Sequence, residues 1–287
     1  MHRPQTPVSQ HPYFRTFSPY RGLIYGCVLA ALLLAGCKKK SARKARVRNE
    51  EGESRLARST HGGTAPRSGP RLAIIIDDMG NDRAEDDAVI ALRYPLTISV
   101  LPHLPLSSQL ADEAAHRGDE VMLHLPMQPD SETTPHEVVE LRPGMPAKEV
   151  RSVLVGMLDT VPHASGVNNH EGSRATADPK LMDALMPALR ERGLFFIDSR
   201  TTASTVAYDT AHRLGVRAAS RKVFLDDSPN ERAIKEQIDL AVKDAERDGE
   251  AIAIGHPHPQ TIAVLREMLP RLKEHGIQLV FASDLAH

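Results

Sequence analysis

The residues best able to do chemistry in this 287-residue chain come in short groups, each at or just after an apolar run. Asp77 and Asp78 follow "LAIII", and His103 follows "LTISVL". His124 lies in "EVMLHLP", and Asn168, Asn169 and His170 follow "SGV". Asp198, Ser199 and Arg200 follow "LFFI", and Asp226 and Asp227 follow "VFL". His256 and His258 follow "AIAIG", and Ser283 and Asp284 follow "IQLVF". Carboxylates and imidazoles are the side chains of proton transfer and of hard-metal binding. Two neutral imidazoles and one carboxylate form a common divalent-metal site with positions left open for water and substrate. Adjacent strand residues point to opposite sides, so one of Asp77 and Asp78 could bind a metal while the other acts as a base. The densest group, "GVNNHEGSRAT" (166–176), shows neither helical nor strand period.

Other chemistries are excluded. "MGNDRAE" has one glycine and no Lys-Ser/Thr, so it is no phosphate loop. There is no G-x-S-x-G elbow. "HEGS" lacks the second histidine of H-E-x-x-H. The only cysteines are Cys27 and Cys37, both near the N-terminus. A domain beyond them has no disulfide and no thiol ligand, so any metal there rests on His, Asp or Glu.

Something must bring these scattered groups together. The apolar runs read as buried strands, at 72–76, 96–101, 120–125, 165–168, 194–197, 223–225, 251–255 and 277–281. Helical patterns lie between them, clearest at 107–117, 147–160, 179–192, 203–214, 231–248 and 260–275. Gly118, Gly193, Gly215 and Gly276 stand where helix C-termini want glycine. Continuous apolar strands alternating with helices predict an α/β fold with a parallel sheet. About seven to eight such units fit a deformed or incomplete (β/α) barrel. The carboxyl ends of its strands share one face, and the polar groups converge there. Each has a plainer role beside the functional one. Asp226 and Asp227 can cap the helix beginning near Asn230. His103 and His258, each beside prolines, can be loop residues. Arg174, Asp198 and Arg200 either orient a substrate or brace the mouth of the barrel as an ion-pair network.

The N-terminal part reads differently. Arg15 and Arg21 precede the apolar run "GLIYGCVLAALLLA" (22–35), which suits the core of a signal peptide better than a membrane span of ~20 residues. It ends in "LLAGC", similar to the lipobox of bacterial lipoproteins, with Cys37 as the lipidated residue. Lys38 rather than Asp follows, which favours the outer over the inner membrane. The predicted organisation is a signal peptide (1–37), a basic flexible tether (38–71) and a folded domain (72–287). The tether carries 11 Lys/Arg and 3 Asp/Glu, the domain 22 and 34. An acidic domain excludes nucleic acid as a partner and suits a neutral or cationic ligand. The basic tether can attract anionic lipid or serve as a solvated spacer. The expected location is the cell envelope, lipid-anchored and facing the periplasm.

"AIIIDDMG", "LHLPMQP", "GVNNHEGSRAT", "LFFIDSRT", "VFLDD" and "AIAIGHPHPQT" resemble, in order and spacing, the divergent polysaccharide deacetylase family from about Arg71 to Ala282. The resemblance implies a deformed (β/α) barrel and a divalent metal, Zn²⁺ first among candidates. It implies Asp77 as general base, Asp78, His124 and His170 as metal ligands, and His256 as general acid. The better-known deacetylases take both histidine ligands from one H-x-x-x-H motif, whereas His124 and His170 stand apart, so their pairing is inferred. Glu171 stands where the family has an apolar residue and receives no role.

The expected activity is metal-dependent hydrolysis of an N-acetyl group on an envelope carbohydrate or a small acetylated substrate, with Asn169 as a candidate oxyanion donor and Asp198 or Arg200 orienting the reacting groups. The alternative is a non-catalytic periplasmic carbohydrate-binding or envelope-assembly module that keeps the deacetylase fold. Residues 72–287 hold no Trp and six aromatics (Tyr94, Phe195, Phe196, Tyr208, Phe224 and Phe281), four of them in strands, so no stacking platform for a long glycan is visible.

Overall fold

A computed structural model describes residues 69–131 and 137–287. The signal segment, Cys37 and the tether as far as residue 68 lie outside the described residues. The strands are β1 (Arg71–Met79), β2 (Thr97–Val100), β3 (Glu120–Met127), β4 (Gly166–Glu171), β5 (Phe195–Asp198), β6 (Ala218–Ser220), β7 (Val223–Phe224), β8 (Glu250–Gly255) and β9 (Gln278–Val280). The helices are α1 (Arg83–Ile90), α2 (Ser107–Arg117), α3 (Ala147–Leu158), α4 (Pro179–Glu191), α5 (Ala207–Arg213), α6 (Glu231–Asp248) and α7 (Pro259–Glu274). All strand pairs are parallel, in the order β6-β5-β4-β3-β2-β1-β8-β7, with β9 beside β1. Only Arg221 and Lys222 separate β6 from β7, so one chain segment supplies both ends of this order. The sheet therefore curls into the deformed (β/α) barrel expected from the sequence.

Local chemistry sets the element ends. Asp82, Asp178 and Asn230 accept backbone N–H groups at the starts of α1, α4 and α6. Gly118, Gly193, Gly215 and Gly276 all have positive φ, as their places after helices require. Two elements had no strong sequence signal. β6 is three small residues, and α1 is a short acidic helix. The helix expected from Ala203 begins only at Ala207. Thr205 is drawn out of it, its hydroxyl donating to Asp198 Oδ2 at 2.8 Å.

Strand alternation sorts the core into two parts. Outward residues such as Leu72, Ile74, Leu123, Val167 and Phe196 pack beneath the helices. Inward residues fill the barrel: Ala73 and Ile75 from β1, Met122 from β3, Phe195 and Ile197 from β5, Ile252 and Ile254 from β8. Gly166 leaves room there, because a Cβ would lie 2.4 Å from the Phe195 ring. The amino end of the barrel is closed by the C-terminal segment, with Val280, Ala282, Leu285 and Ala286 in the interior cluster. Ala282 N–H donates to Thr97 Oγ1 at 3.0 Å and Ser283 N–H to Glu120 Oε1 at 3.2 Å.

That closure corrects one expectation. Ser283 and Asp284 were placed with the other strand-end groups. β9 pairs only with Arg71–Ala73, the start of β1. The residues after it meet the first residues of β2 and β3, at the opposite end from the other groups.

Candidate metal and acid–base site

The inward columns that are apolar low in the barrel turn polar above. Ala73–Ile75 continues to Asp77, Met122 to His124, Gly166 to Asn168 and His170, and Ile252–Ile254 to His256. β3 and β4 place His124 opposite Asn168 and Pro126 opposite His170. A period of two thus carries most of the site inward.

Asp78 breaks that period. Its φ is 57°, and the register of β1 on β2 shifts between Ile76 and Met79. The two aspartates were expected to point apart. The kink instead turns both toward one imidazole: His124 Nε2 lies 3.2 Å from Asp78 Oδ1 and 3.7 Å from Asp77 Oδ2. His170 Nδ1 lies 3.0 Å from the same Asp78 oxygen and 3.1 Å from His124 Nε2. Three potential ligand atoms form a nearly equilateral triangle.

The triangle fits a divalent cation. Neighbouring ligand atoms around an ion with ~2.1 Å bonds are separated by about 3.0–3.4 Å. Asp78 Oδ1 is buried and takes no hydrogen bond with proper geometry, although two ring nitrogens lie against it. Burial would raise the Asp78 pKa, but His124 and His170 outweigh it and hold the carboxyl well below the usual range. The His124 tautomer is set from behind. Asp77 Oδ1 can only accept, so the Asn168 amide turns its NH₂ to that oxygen at 2.8 Å. Asn168 Oδ1 then accepts from Ser99 Oγ at 2.7 Å and from His124 Nδ1 at 2.9 Å. With its proton on Nδ1, His124 presents a lone pair at Nε2. Asn168 is wholly buried and joins Asp77 to His124. The sequence reading placed it at a strand end without a role; its parity with His170 was the available signal.

His256 faces this triad, its Nε2 3.9 Å from Asp78 Oδ2. Its Nδ1–H donates to Asp226 Oδ1 at 2.9 Å. Asp226 Oδ2 accepts the His256 backbone N–H and the Thr261 hydroxyl, each at 2.7 Å. Burial opposes charge on the imidazole, but Asp226 outweighs it and pushes the His256 pKa up to about 9. In return His256 holds Asp226 below the ordinary carboxylate value, against the effect of burial. Asp226 is therefore no mere cap, and Asn230 caps α6 instead. Asp226, His256 and His258 lie close enough to share an ion. Both Asp226 oxygens are already engaged and His258 is exposed, so this group is a hydrogen-bonded dyad.

Three further expectations change. Asn169, expected to face substrate, is 1% exposed and points off the inward column. Its Nδ2 donates to Glu171 O at 2.8 Å and its Oδ1 accepts from Ser199 N–H at 2.9 Å, so both ends of the amide brace adjoining strand ends. Asp198 also points outward, accepting from Arg200 N–H, Thr205 Oγ1 and Tyr208 N–H. It holds the loop after β5. Arg174 is exposed, and no ion pair joins Arg174, Asp198 and Arg200 among the described residues. His103 (φ 61°) and Asp227 are also exposed.

Arg221 was missed altogether. It lies between the short strands β6 and β7, its guanidinium over the Phe224 ring at 3.6 Å from the centroid. Phe224 in turn stacks on His256, with centroids 6.3 Å apart and planes 21° from parallel.

Comparison with known proteins gives the family and the fold. A family model described as divergent polysaccharide deacetylase matches residues 74–286. The chain is 41% identical over 222 residues to YibQ, an uncharacterized protein of Escherichia coli K12, covering 77% of this chain and 69% of that one. It is 43% identical over 215 residues to an uncharacterized protein of Haemophilus influenzae, covering 75% and 76%. The crystal structure of the uncharacterized protein ATU2773 from Agrobacterium tumefaciens shares the fold, with a TM-score of 0.72 at 24% identity over 77% of this chain and 91% of that one.

Proposed function

The chain belongs to the divergent polysaccharide deacetylase family, and on that premise we propose that it is a metal-dependent amide hydrolase that removes acetyl groups from amino sugars of the cell envelope. The observation that carries the proposal is the Asp78–His124–His170 triangle, with the Asp77 carboxylate beside it and the His256 Nε2 atom facing it. Asp78, His124 and His170 would hold the cation, with Zn²⁺ the first candidate for two imidazoles and one carboxylate. When bound, the cation supplies Lewis-acid chemistry, acidifying water and polarising the acetyl oxygen.

The chain's own groups move the protons. Asp77 has one oxygen fixed by Asn168. Its other oxygen takes the proton of the attacking water. His256, raised to about 9 by Asp226, is protonated near neutral pH. It gives its Nε2 proton to the leaving amine, so that amide and water become acetate and free amine. The strand-end braces at Asn169 and Asp198 keep the mouth in place.

Two measurements test the reading. The purified chain is expected to bind about one divalent metal ion per molecule. Wild-type protein is expected to release acetate from N-acetylated envelope glycans, and Asp77→Asn to lose about two to four orders of magnitude of that rate. Metal-free protein that takes up no ion on addition, or a variant as active as wild type, refutes it. The second reading, a non-catalytic envelope module, is favoured by the scarcity of exposed aromatics among the described residues. It predicts metal and sugar binding without acetate release. We also propose that lipid on Cys37 anchors the domain in the envelope, facing the periplasm. Cys37→Ser is then expected to move the protein from the membrane to the soluble fraction.

A further inference from the structure

Where β6 gives way to β7, the barrel carries charge that the acid–base site does not use. Arg221 is half-buried there. Its Nε donates to Ser199 O at 2.6 Å and its Nη2 to Arg200 O at 2.8 Å. No carboxylate forms an ion pair with it among the described residues, and its Nη1 makes no hydrogen bond there. Arg200 follows on the same wall, exposed and likewise without an ion pair among the described residues. Burial holds Arg221 below the ordinary arginine value and repulsion from Arg200 adds to it, while Asp227, Asp198 and Asp77 act the other way.

A cleft of about 680 Å³ runs along this seam, with Arg200, Arg221, Lys222 and Tyr208 among its lining and Asp248 and Glu250 also on its wall. The acids already have partners. Asp248 pairs with Lys222 at 3.5 Å and with Arg247 at 2.8 Å. Glu250 pairs with Arg71 and, at 3.2 Å, with His287. Arg200 and Arg221 have no directly paired carboxylate among the described residues, and Asp227 acts on Arg221 only through space. Two neighbouring guanidiniums, one of them partly desolvated and neither in a direct ion pair, leave N–H donors free for an anion. Their planar donors suit the oxygens of a carboxylate or phosphate.

We propose that Arg221 and Arg200 form an oxyanion subsite that takes a carboxylate or phosphate group carried by the acetylated substrate. The Arg221 guanidinium lies within about 10 Å of the His256 ring, since Phe224 separates them by 3.6 Å on one side and 6.3 Å on the other. An anionic substituent on the reacting sugar or on its neighbour can span that distance. The acidity of the whole domain disfavours a polyanion, but this wall is locally basic. The subsite rests on the proposed function only in taking the substrate as the carrier of the anion.

The test is equilibrium binding to the full chain, which needs no turnover, so a failure of the hydrolase reading leaves it interpretable. N-acetylmuramic acid and N-acetylglucosamine 6-phosphate are titrated beside neutral N-acetylglucosamine and inorganic phosphate, followed by NMR. At least one anionic sugar is expected to bind about tenfold or more tightly than the neutral sugar, and more tightly than phosphate alone. Arg221→Gln is expected to remove that preference, and Arg221→Lys to retain part of it. Equal binding of neutral and anionic sugars by wild type overturns the proposal, and this arm needs no variant to fold. Inorganic phosphate binding as tightly as both anionic sugars also overturns it, because the site would then take a free ion. A preference that survives in Arg221→Gln overturns the assignment to Arg221.

Discussion

One amide, Asn168, holds both Asp77, the proposed base, and His124, a proposed metal ligand. Its NH₂ group engages Asp77 and its oxygen engages His124. Asn168→Asp keeps the oxygen for His124 but puts a second carboxylate beside Asp77. Like charges that close cannot both ionise freely, so the pair's first proton binds more tightly. The acidic arm of the kcat/KM profile is expected to move up by about one pH unit or more, while metal affinity by calorimetry stays close to wild type. An unmoved arm would separate Asp77 from proton transfer. At the other end, Asp226 raises the pKa of His256 to about 9. Activity that needs the imidazolium is fully present below that value and lost as pH rises through it. Asp226→Asn removes the counter-charge, so the alkaline arm is expected to shift to lower pH. Both readouts are rate profiles, which a purely structural role would scale without shifting.

Among the elements, α1 supports the strand that carries Asp78. Asp86, 1% exposed on that helix, accepts the Gly80 N–H at 3.1 Å, and its second oxygen is buried without a partner. Burial pushes its pKa up to about 6 from 3.8. A carboxyl raised in the folded state favours folding when protonated. Its contribution is fully present below about pH 3.8 and is lost as pH rises through about 6. Asp86→Asn, neutral at every pH, should therefore gain stability relative to wild type across that window and hold the gain above it, on the order of 1–3 kcal/mol. Thermal melts of the two proteins from pH 4 to pH 8 check this; parallel curves would mean that the carboxyl is not strained. Period and caps foretold most of the helices. The late start of α5 was not legible, because Asp198, at the end of the preceding strand, captures Thr205 and the Tyr208 N–H.

For the whole molecule, the two ends of the barrel have separate tasks. The carboxyl end gathers the site, and the amino end is closed by the C-terminal segment. Removal of residues 281–287 exposes the interior cluster and leaves Glu120 and Thr97 without their backbone donors. It is expected to cost several kcal/mol in urea unfolding; a loss under about 1 kcal/mol would show that the segment is not part of the core. The apolar runs, their spacing and the glycines after helices determined the parallel (β/α) barrel by themselves, because alternation and capping are local rules. They also placed Asp77, Asp78, His124, His170 and His256 at one face. Three things were left to the tertiary structure. The kink at Asp78 turns it onto His124 of β3 and His170 of β4, which a period of two would forbid. The parity of Asn168 against Asn169 decides which amide enters the site. The curl of the sheet sets Arg221 against Phe224 and Ser199, while β9 and its polar followers meet the other end. Each depends on which strand lies beside which, and a linear sequence states neighbours along the chain but not across the sheet.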